Sequence, residues 1–114
     1  MNLVLGWPPK ELSPNARLHW RQVARAKKAY RAACNLTARE QGAHKLTAER
    51  LHVSFTFYPP NKQRRDLDGC ISRMKAGIDG LADVLGVDDS KWAMSFAMSE
   101  EVGGMVRVHV EAVQ

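Results

Sequence analysis

The chain has 114 residues, 45% of them apolar and 25% charged, and a formal net charge of +5. That composition excludes a disordered tail, and no apolar run approaches the roughly 20 residues of a membrane helix. One domain, residues 1–114, is expected, with a modest core that a dimer partner could supplement. The opening MNLVLGWPPKEL has neither a basic leader nor a small-residue cleavage site, and Cys34 and Cys70 lack CxxC spacing. The expectation is therefore a cytoplasmic protein with two free thiols.

Residues 2–6, NLVLG, read as a short strand stopped by Trp7-Pro8-Pro9. The alanine-rich stretch that follows predicts a long helix, beginning between Ser13 and Ala16 and ending at Gly42. At about 100° per residue, Arg17, Arg21, Arg25, Lys28 and Arg39 share one stripe, opposite Val23, Ala26, Tyr30 and Ala33. In RLHVSFTFY, residues 50–58, Leu51, Val53, Phe55 and Phe57 alternate with His52, Ser54, Thr56 and Tyr58. This is the period of a half-buried strand, ended by Pro59-Pro60. After RRDLDG, residues Ile71, Met74, Ile78, Leu81 and Leu85 keep a 3-4-3-4 spacing. They mark a second amphipathic helix, closed by Gly86 and weakened locally by Gly77 and Gly80. WAMSFAMSE and MVRVHVEAV look like two further strands joined as a hairpin through EEVGG. The order β-α-β-α-β-β predicts an α+β domain, two amphipathic helices packed on a small mixed sheet.

Charge is unevenly distributed along this chain. Residues 1–65 hold 13 Lys/Arg against 3 Glu, whereas residues 66–114 hold 4 against 9 acids. All six aspartates fall within the 24 residues from Asp66 to Asp89, and all six glutamates lie outside them. A pI near 9.6 favours a polyanionic partner. Clustered carboxylates repel, and a divalent cation removes that penalty. Mg²⁺ takes hard oxygen ligands and keeps several waters, so two or three Asp side chains suit it when phosphate completes the shell. Asp66 and Asp68 stand two apart at a strand-to-helix junction, where extended backbone would send both to one side. On the following helix Asp68, Lys75 and Asp79 lie within about 40° of one another. Lys75 could stabilise charge at a phosphoryl centre, and the basic stripe with Lys62, Arg64 and Arg65 could hold a phosphate backbone.

Plainer readings compete at each position. A DxD alone also occurs in surface turns and helix caps, so Asp68 could simply cap its helix. Lys75 and Asp79 could be an ordinary i,i+4 surface pair, and Asp83 is expected to be solvated. Asp88 and Asp89 follow a helix C-terminus, where the dipole disfavours negative charge unless a cation or a structural partner compensates. His19, His44, His52 and His109 have no zinc spacing, with His52 and His109 on the polar face of strands. Trp7, Trp20 and Trp92 are expected in the core or an interface rather than as stacking platforms. No P-loop, GxSxG or dinucleotide fingerprint is present.

Taken together, WPPKELSPNARLHW, FYPPNKQRRDLDG and MKAGIDGLADVLGVDDSKW closely resemble the RusA-type Holliday-junction resolvases, small endodeoxyribonucleases of bacteriophages and prophages. The likeness spans most of the chain. It implies a homodimer that cuts four-way DNA junctions with Mg²⁺, for which Mn²⁺ may substitute. By the family's motifs the metal-binding acids correspond to Asp66, Asp68 and Asp89, with Asp88 the alternative if the DD pair is shifted, and the catalytic-site lysine to Lys75. The best-known form places that lysine where this chain has Ser72. Lys75 is three residues further, about 4.5 Å along a helix axis. Gly69 stands where the family often has Asn.

The resemblance implies a Mg²⁺-dependent nuclease resolving branched DNA in recombination and repair, and by their charge Arg17, Arg21, Arg25, Lys28, Lys62, Arg64 and Arg65 are expected on the DNA. Two rivals are a non-catalytic junction-binding homologue with structural aspartates, and a small protein-interaction domain with an incidental acidic loop.

Overall fold

The computed structural model describes residues 1–113. In chain order it has strand β1 (Asn2–Gly6), a 3-10 turn (Lys10–Leu12), helix α1 (Trp20–Glu40), strand β2 (Arg50–Tyr58) and helix α2 (Leu67–Leu85). A second 3-10 turn (Asp89–Lys91) leads into strands β3 (Trp92–Met98) and β4 (Met105–Val113). The fold is α+β, two helices on a four-stranded mixed sheet ordered β1-β4-β2-β3.

That order replaces the expected hairpin. β3 runs parallel to β2, from Leu51 opposite Trp92 to Phe57 opposite Met98, a pairing that requires a long crossover, here α2. β4 passes to the other side of β2 and pairs antiparallel with both β2 and β1. Burial explains the exchange. Val106, Val108 and Val110 are fully covered, as befits a central strand, whereas Met94, Phe96 and Met98 of β3 are only half-buried at the sheet edge. The glycines of EEVGG do turn the chain, but over the end of β2. Gly103 N donates to Pro59 O and Gly104 N to Tyr58 O, each at 2.8 Å.

One sheet face packs against both helices. Leu51, Val53, Phe55 and Phe57 are each at most 1% exposed, and burying four such side chains contributes on the order of 6–12 kcal/mol before entropy is counted. α2 covers them with Met74, Ile78, Leu81 and Leu85, and α1 adds Tyr30, Cys34 and Ala38. The other sheet face is polar and open, with His52 facing Ser95 Oγ at 2.9 Å and His109 between Asn2 and Glu111.

α1 begins at Trp20, later than expected. Ser13 closes a turn of its own, accepting from Ala16 N through its carbonyl and from Asn15 N through its hydroxyl, and this delays the helix. His19 is the N-cap, its Nδ1 accepting from Arg21 N at 3.1 Å. At the other end Gln41 reaches β1, accepting from Val4 N at 2.8 Å and donating to Val4 O at 2.7 Å, which occupies backbone groups of that edge strand. The two glycines that weaken α2 have a packing role. A Cβ at Gly80 would overlap the Arg31 carbonyl, and one at Gly77 would meet Tyr30 Cε2 at 2.7 Å. Their absence of side chain lets α1 and α2 cross closely.

Candidate active site

Asp66 occupies the N-cap position of α2, on extended backbone (φ −89°, ψ 139°), yet its carboxylate makes no capping hydrogen bond. Asp68 follows in the first helical turn. Both are exposed, and no ion pair joins either to a cation among the described residues. The helix dipole favours negative charge here, and the acceptor oxygens of both carboxylates remain available. Asp68 does not cap the helix.

The DD pair lies beyond the opposite end of α2, and its two members have different partners. Asp88 accepts from Ser90 N at 3.1 Å and also from the Ser90 hydroxyl, so it caps the turn that enters β3, and these bonds hold its carboxyl below the usual range. Asp89 instead faces α2. Its Oδ2 accepts from Lys75 Nζ at 2.6 Å, and the same ammonium lies 3.2 Å from Asp79 Oδ1. The Asp89 bond is the main cause of a raised Lys75 pKa. Lys75 and Asp79 are thus an i,i+4 pair with a third member from another element. The unfavourable negative charge after the helix is offset by a cation at Asp89 and by hydrogen bonds at Asp88.

Hard carboxylate oxygens match the demands of Mg²⁺. Among the described residues, however, no three His, Cys, Asp or Glu side chains come together as a metal-holding group. Asp66 is on extended backbone but Asp68 is already in the first helical turn, so the alternation expected to send both side chains to one side does not apply. Asp89 is engaged with Lys75, whose Cα lies seven residues, or about 10.5 Å, along the axis from Asp68.

The basic residues divide into those that face solvent and those that build the scaffold. Arg21, Arg25 and Lys28 are exposed on α1. Arg17 is exposed too, but it precedes the helix and so is not on its stripe. Lys62 and Arg64 are exposed in the loop before α2. Arg65 is committed locally, donating to the carbonyls of Asn61 and Gln63 and to Asn61 Oδ1 while lying 5.7 Å over Trp7. Arg31 pairs in a two-pronged bond with Asp83, at 2.8 and 3.0 Å, so Asp83 is not merely solvated.

Three residues that the sequence did not single out belong near this site. Lys27 and Arg31 of α1 line a groove of 420 Å³ with Ser72, Lys75 and Asp79 of α2. Arg73 lies 5.9 Å over Trp7 and donates to Pro8 O at 2.6 Å, while its buried Nε has no partner. Trp7 in turn meets Phe57 edge-on at 6.0 Å, so the WPP segment ties both Arg65 and Arg73 to the core. The i, i+4 spacing of Lys27 and Arg31 carried a signal, because it places them beside the buried Tyr30 and Cys34. Arg73 carried none, since its partners are distant in sequence. The tryptophans divide as well. Trp92 is buried, donating to Val87 O at 2.9 Å, and Trp7 is half-buried, but Trp20 is 69% exposed and lies outside the core.

No family model matches the chain. Over 104 residues, 89% of its length, it is 38% identical to an uncharacterized protein of Xylella fastidiosa (strain Temecula1 / ATCC 700964), covering 68% of that protein. The chain belongs to the same family as the Xylella protein. Among the described residues no helix is long and apolar enough to cross a membrane.

Proposed function

We infer that this protein is a Mg²⁺-dependent, structure-selective endodeoxyribonuclease of the RusA type, which resolves four-way DNA junctions in recombination and repair. The observation that carries the reading is the Lys75–Asp89 bridge of 2.6 Å. It fastens the VDD motif to the helix opened by the RRDLD motif, so both acidic motifs that resemble one family adjoin a single helix. The free carboxylates of Asp66 and Asp68 and the groove cation Lys27 support it further.

Asp66 and Asp68 would hold the metal, with Asp89 reaching it only if Lys75 gives way. When bound, Mg²⁺ polarises the phosphoryl oxygen and lowers the pKa of an attacking water. Lys75, kept protonated by Asp89, can donate to a phosphate oxygen and offset the charge that develops there. Lys62, Arg64, Arg21, Arg25 and Lys28 are free to hold the backbone, which positions the strand without reading its sequence. A junction requires paired nicks in two strands, and a two-fold homodimer supplies two equivalent sites. A cytoplasmic location goes with this substrate.

The test is nicking of a synthetic four-way junction with and without Mg²⁺. Cleavage that depends on the ion is expected, and Asp68→Asn should reduce it by roughly 10²-fold or more while leaving binding equal or tighter. One second reading, a junction-binding homologue that does not cut, is favoured by the engagement of Asp89 with Lys75. Tight binding by the wild type with no cleavage in Mg²⁺ or Mn²⁺ would establish it.

A further inference from the structure

Trp20 is the most exposed of the large apolar side chains, at 69%, with Leu18 beside it at 41%. An indole left in water gives up much of the burial free energy available to a side chain of its size, and the fold gains nothing visible in return. Its immediate company is polar and cationic. The Arg21 guanidinium lies 5.3 Å from its ring centroid, and the His19 ring stacks at 5.6 Å with 30° between planes. Arg17 precedes Trp20, Arg25, Lys27 and Lys28 follow, and the first turn of α1 has no acid. Leu18 and Gln22, on either side of Trp20, line a groove of 560 Å³ with Lys10, Ser13 and Arg17 and one acid, Glu11. Trp20, Lys27 and Arg31 are spaced i, i+7, i+11, so they share one stripe, and the latter two line the groove that holds Lys75 and Asp79.

We propose that Trp20 is a stacking shelf for an unpaired base of a DNA strand, with Arg17 and Arg21 taking the adjoining phosphates and Lys27 guiding the strand toward Lys75. This deepens the function proposed above and rests on its DNA-binding part. Charge selects the occupant. A protein partner would have to be acidic to sit among these cations, whereas a single strand brings a π-face for the indole and phosphates for the arginines at a repeat of one nucleotide. A fully paired duplex hides its base faces and would meet only the charges. The shelf therefore selects DNA whose bases are unstacked, as at a branch point.

The experiment uses the full chain and measures anisotropy of labelled oligo-dT and of a linear duplex in EDTA, so that no cutting intervenes. Trp20→Ala should weaken oligo-dT binding by about ten-fold or more, the scale of one lost base–aromatic stack, and Trp20→Phe should restore most of it. Duplex affinity should move by less than about two-fold, and the salt dependence of Trp20→Ala should match wild type because no cation is lost. Arg21→Ala should instead flatten the salt slope for oligo-dT by about 0.7. Equal oligo-dT binding by Trp20→Ala and wild type would overturn the proposal. So would equal losses on single strand and duplex, or a change in molecular mass by light scattering, which would make Trp20 a contact between copies. A wild type that stacks bases through Trp20 but never nicks a junction overturns the nuclease reading alone. A wild type that nicks while Trp20→Ala binds normally overturns the shelf alone.

Discussion

Lys75 Nζ donates to Asp89 Oδ2 at 2.6 Å and lies 3.2 Å from Asp79 Oδ1, so one ammonium joins the middle of α2 to the turn before β3. The lysine is 64% exposed, which makes the bridge a weak source of stability, no more than about 1 kcal/mol. Its folded pKa is raised, so the stabilisation is present throughout neutral pH and is lost only as pH rises through that raised value. Lys75→Ala should therefore move the thermal midpoint by only a few degrees yet reduce junction nicking by roughly 10²-fold, with partial recovery in Lys75→Arg. Paired melting and nicking measurements check this. A large loss of stability with normal nicking would make the lysine purely structural.

The two acids of the DD pair should separate cleanly on mutation. Asp88 caps a turn through Ser90, a task that Asn performs as well, so Asp88→Asn should nick junctions within a few-fold of wild type. Asp89→Asn discharges the partner of Lys75 and should lower the nicking rate by roughly 10²-fold. Single-turnover nicking rates for both variants decide it, and the reverse ranking would move the functional role to Asp88.

Gly80 is the point of closest approach between the helices. Asparagine 35 also donates to its carbonyl at 3.3 Å, through Asn35 Nδ2. Because the atom that an added methyl would strike is backbone, the Arg31 carbonyl, Gly80→Ala cannot be relieved by a rotamer change. It should destabilise by about 2 kcal/mol or more, despite the better helix propensity of alanine, as read by urea denaturation. A stabilised Gly80→Ala would mean the crossing is looser than described.

Cys34 and Cys70 are free and fully buried. Burial pushes the Cys34 thiol up to about 11 and also raises Cys70, and it holds the Tyr30 phenol well above its ordinary value. These acids are neutral when folded, so the unfolded chain ionises first as pH rises. Stability should be flat through neutral pH and fall above about pH 8.5, the ordinary thiol pKa. Native thiols should react with a disulfide reagent only as fast as the protein opens, and labelling should accelerate in denaturant. Rapid labelling of the native protein at neutral pH would contradict the burial of both.

The sequence was sufficient where the physics is local. Alternation in residues 50–58 marked β2, the 3-4-3-4 spacing from Ile71 to Leu85 marked α2, and Gly86 marked its end in the left-handed conformation (φ 69°). These patterns report which face of one element is apolar, and a single face is enough to name the element. The aspartates were legible as a cluster for the same reason, because charge density along the chain needs no fold to be counted.

Pairing between distant segments was beyond that kind of reading. β3 and β4 each look like half of a hairpin, and only competition for the buried centre of the sheet sends Val106, Val108 and Val110 inward and leaves β3 at the edge. The start of α1 moved to Trp20 because Ser13 closes a turn first, and that displacement put an indole in solvent where the sequence suggested a core or interface residue. Likewise, nothing in the string VDDSKW distinguishes Asp88 from Asp89. One faces Ser90 and the other Lys75 because of the angle at which the chain enters β3, and such angles are set by the packing of whole elements rather than by neighbouring residues.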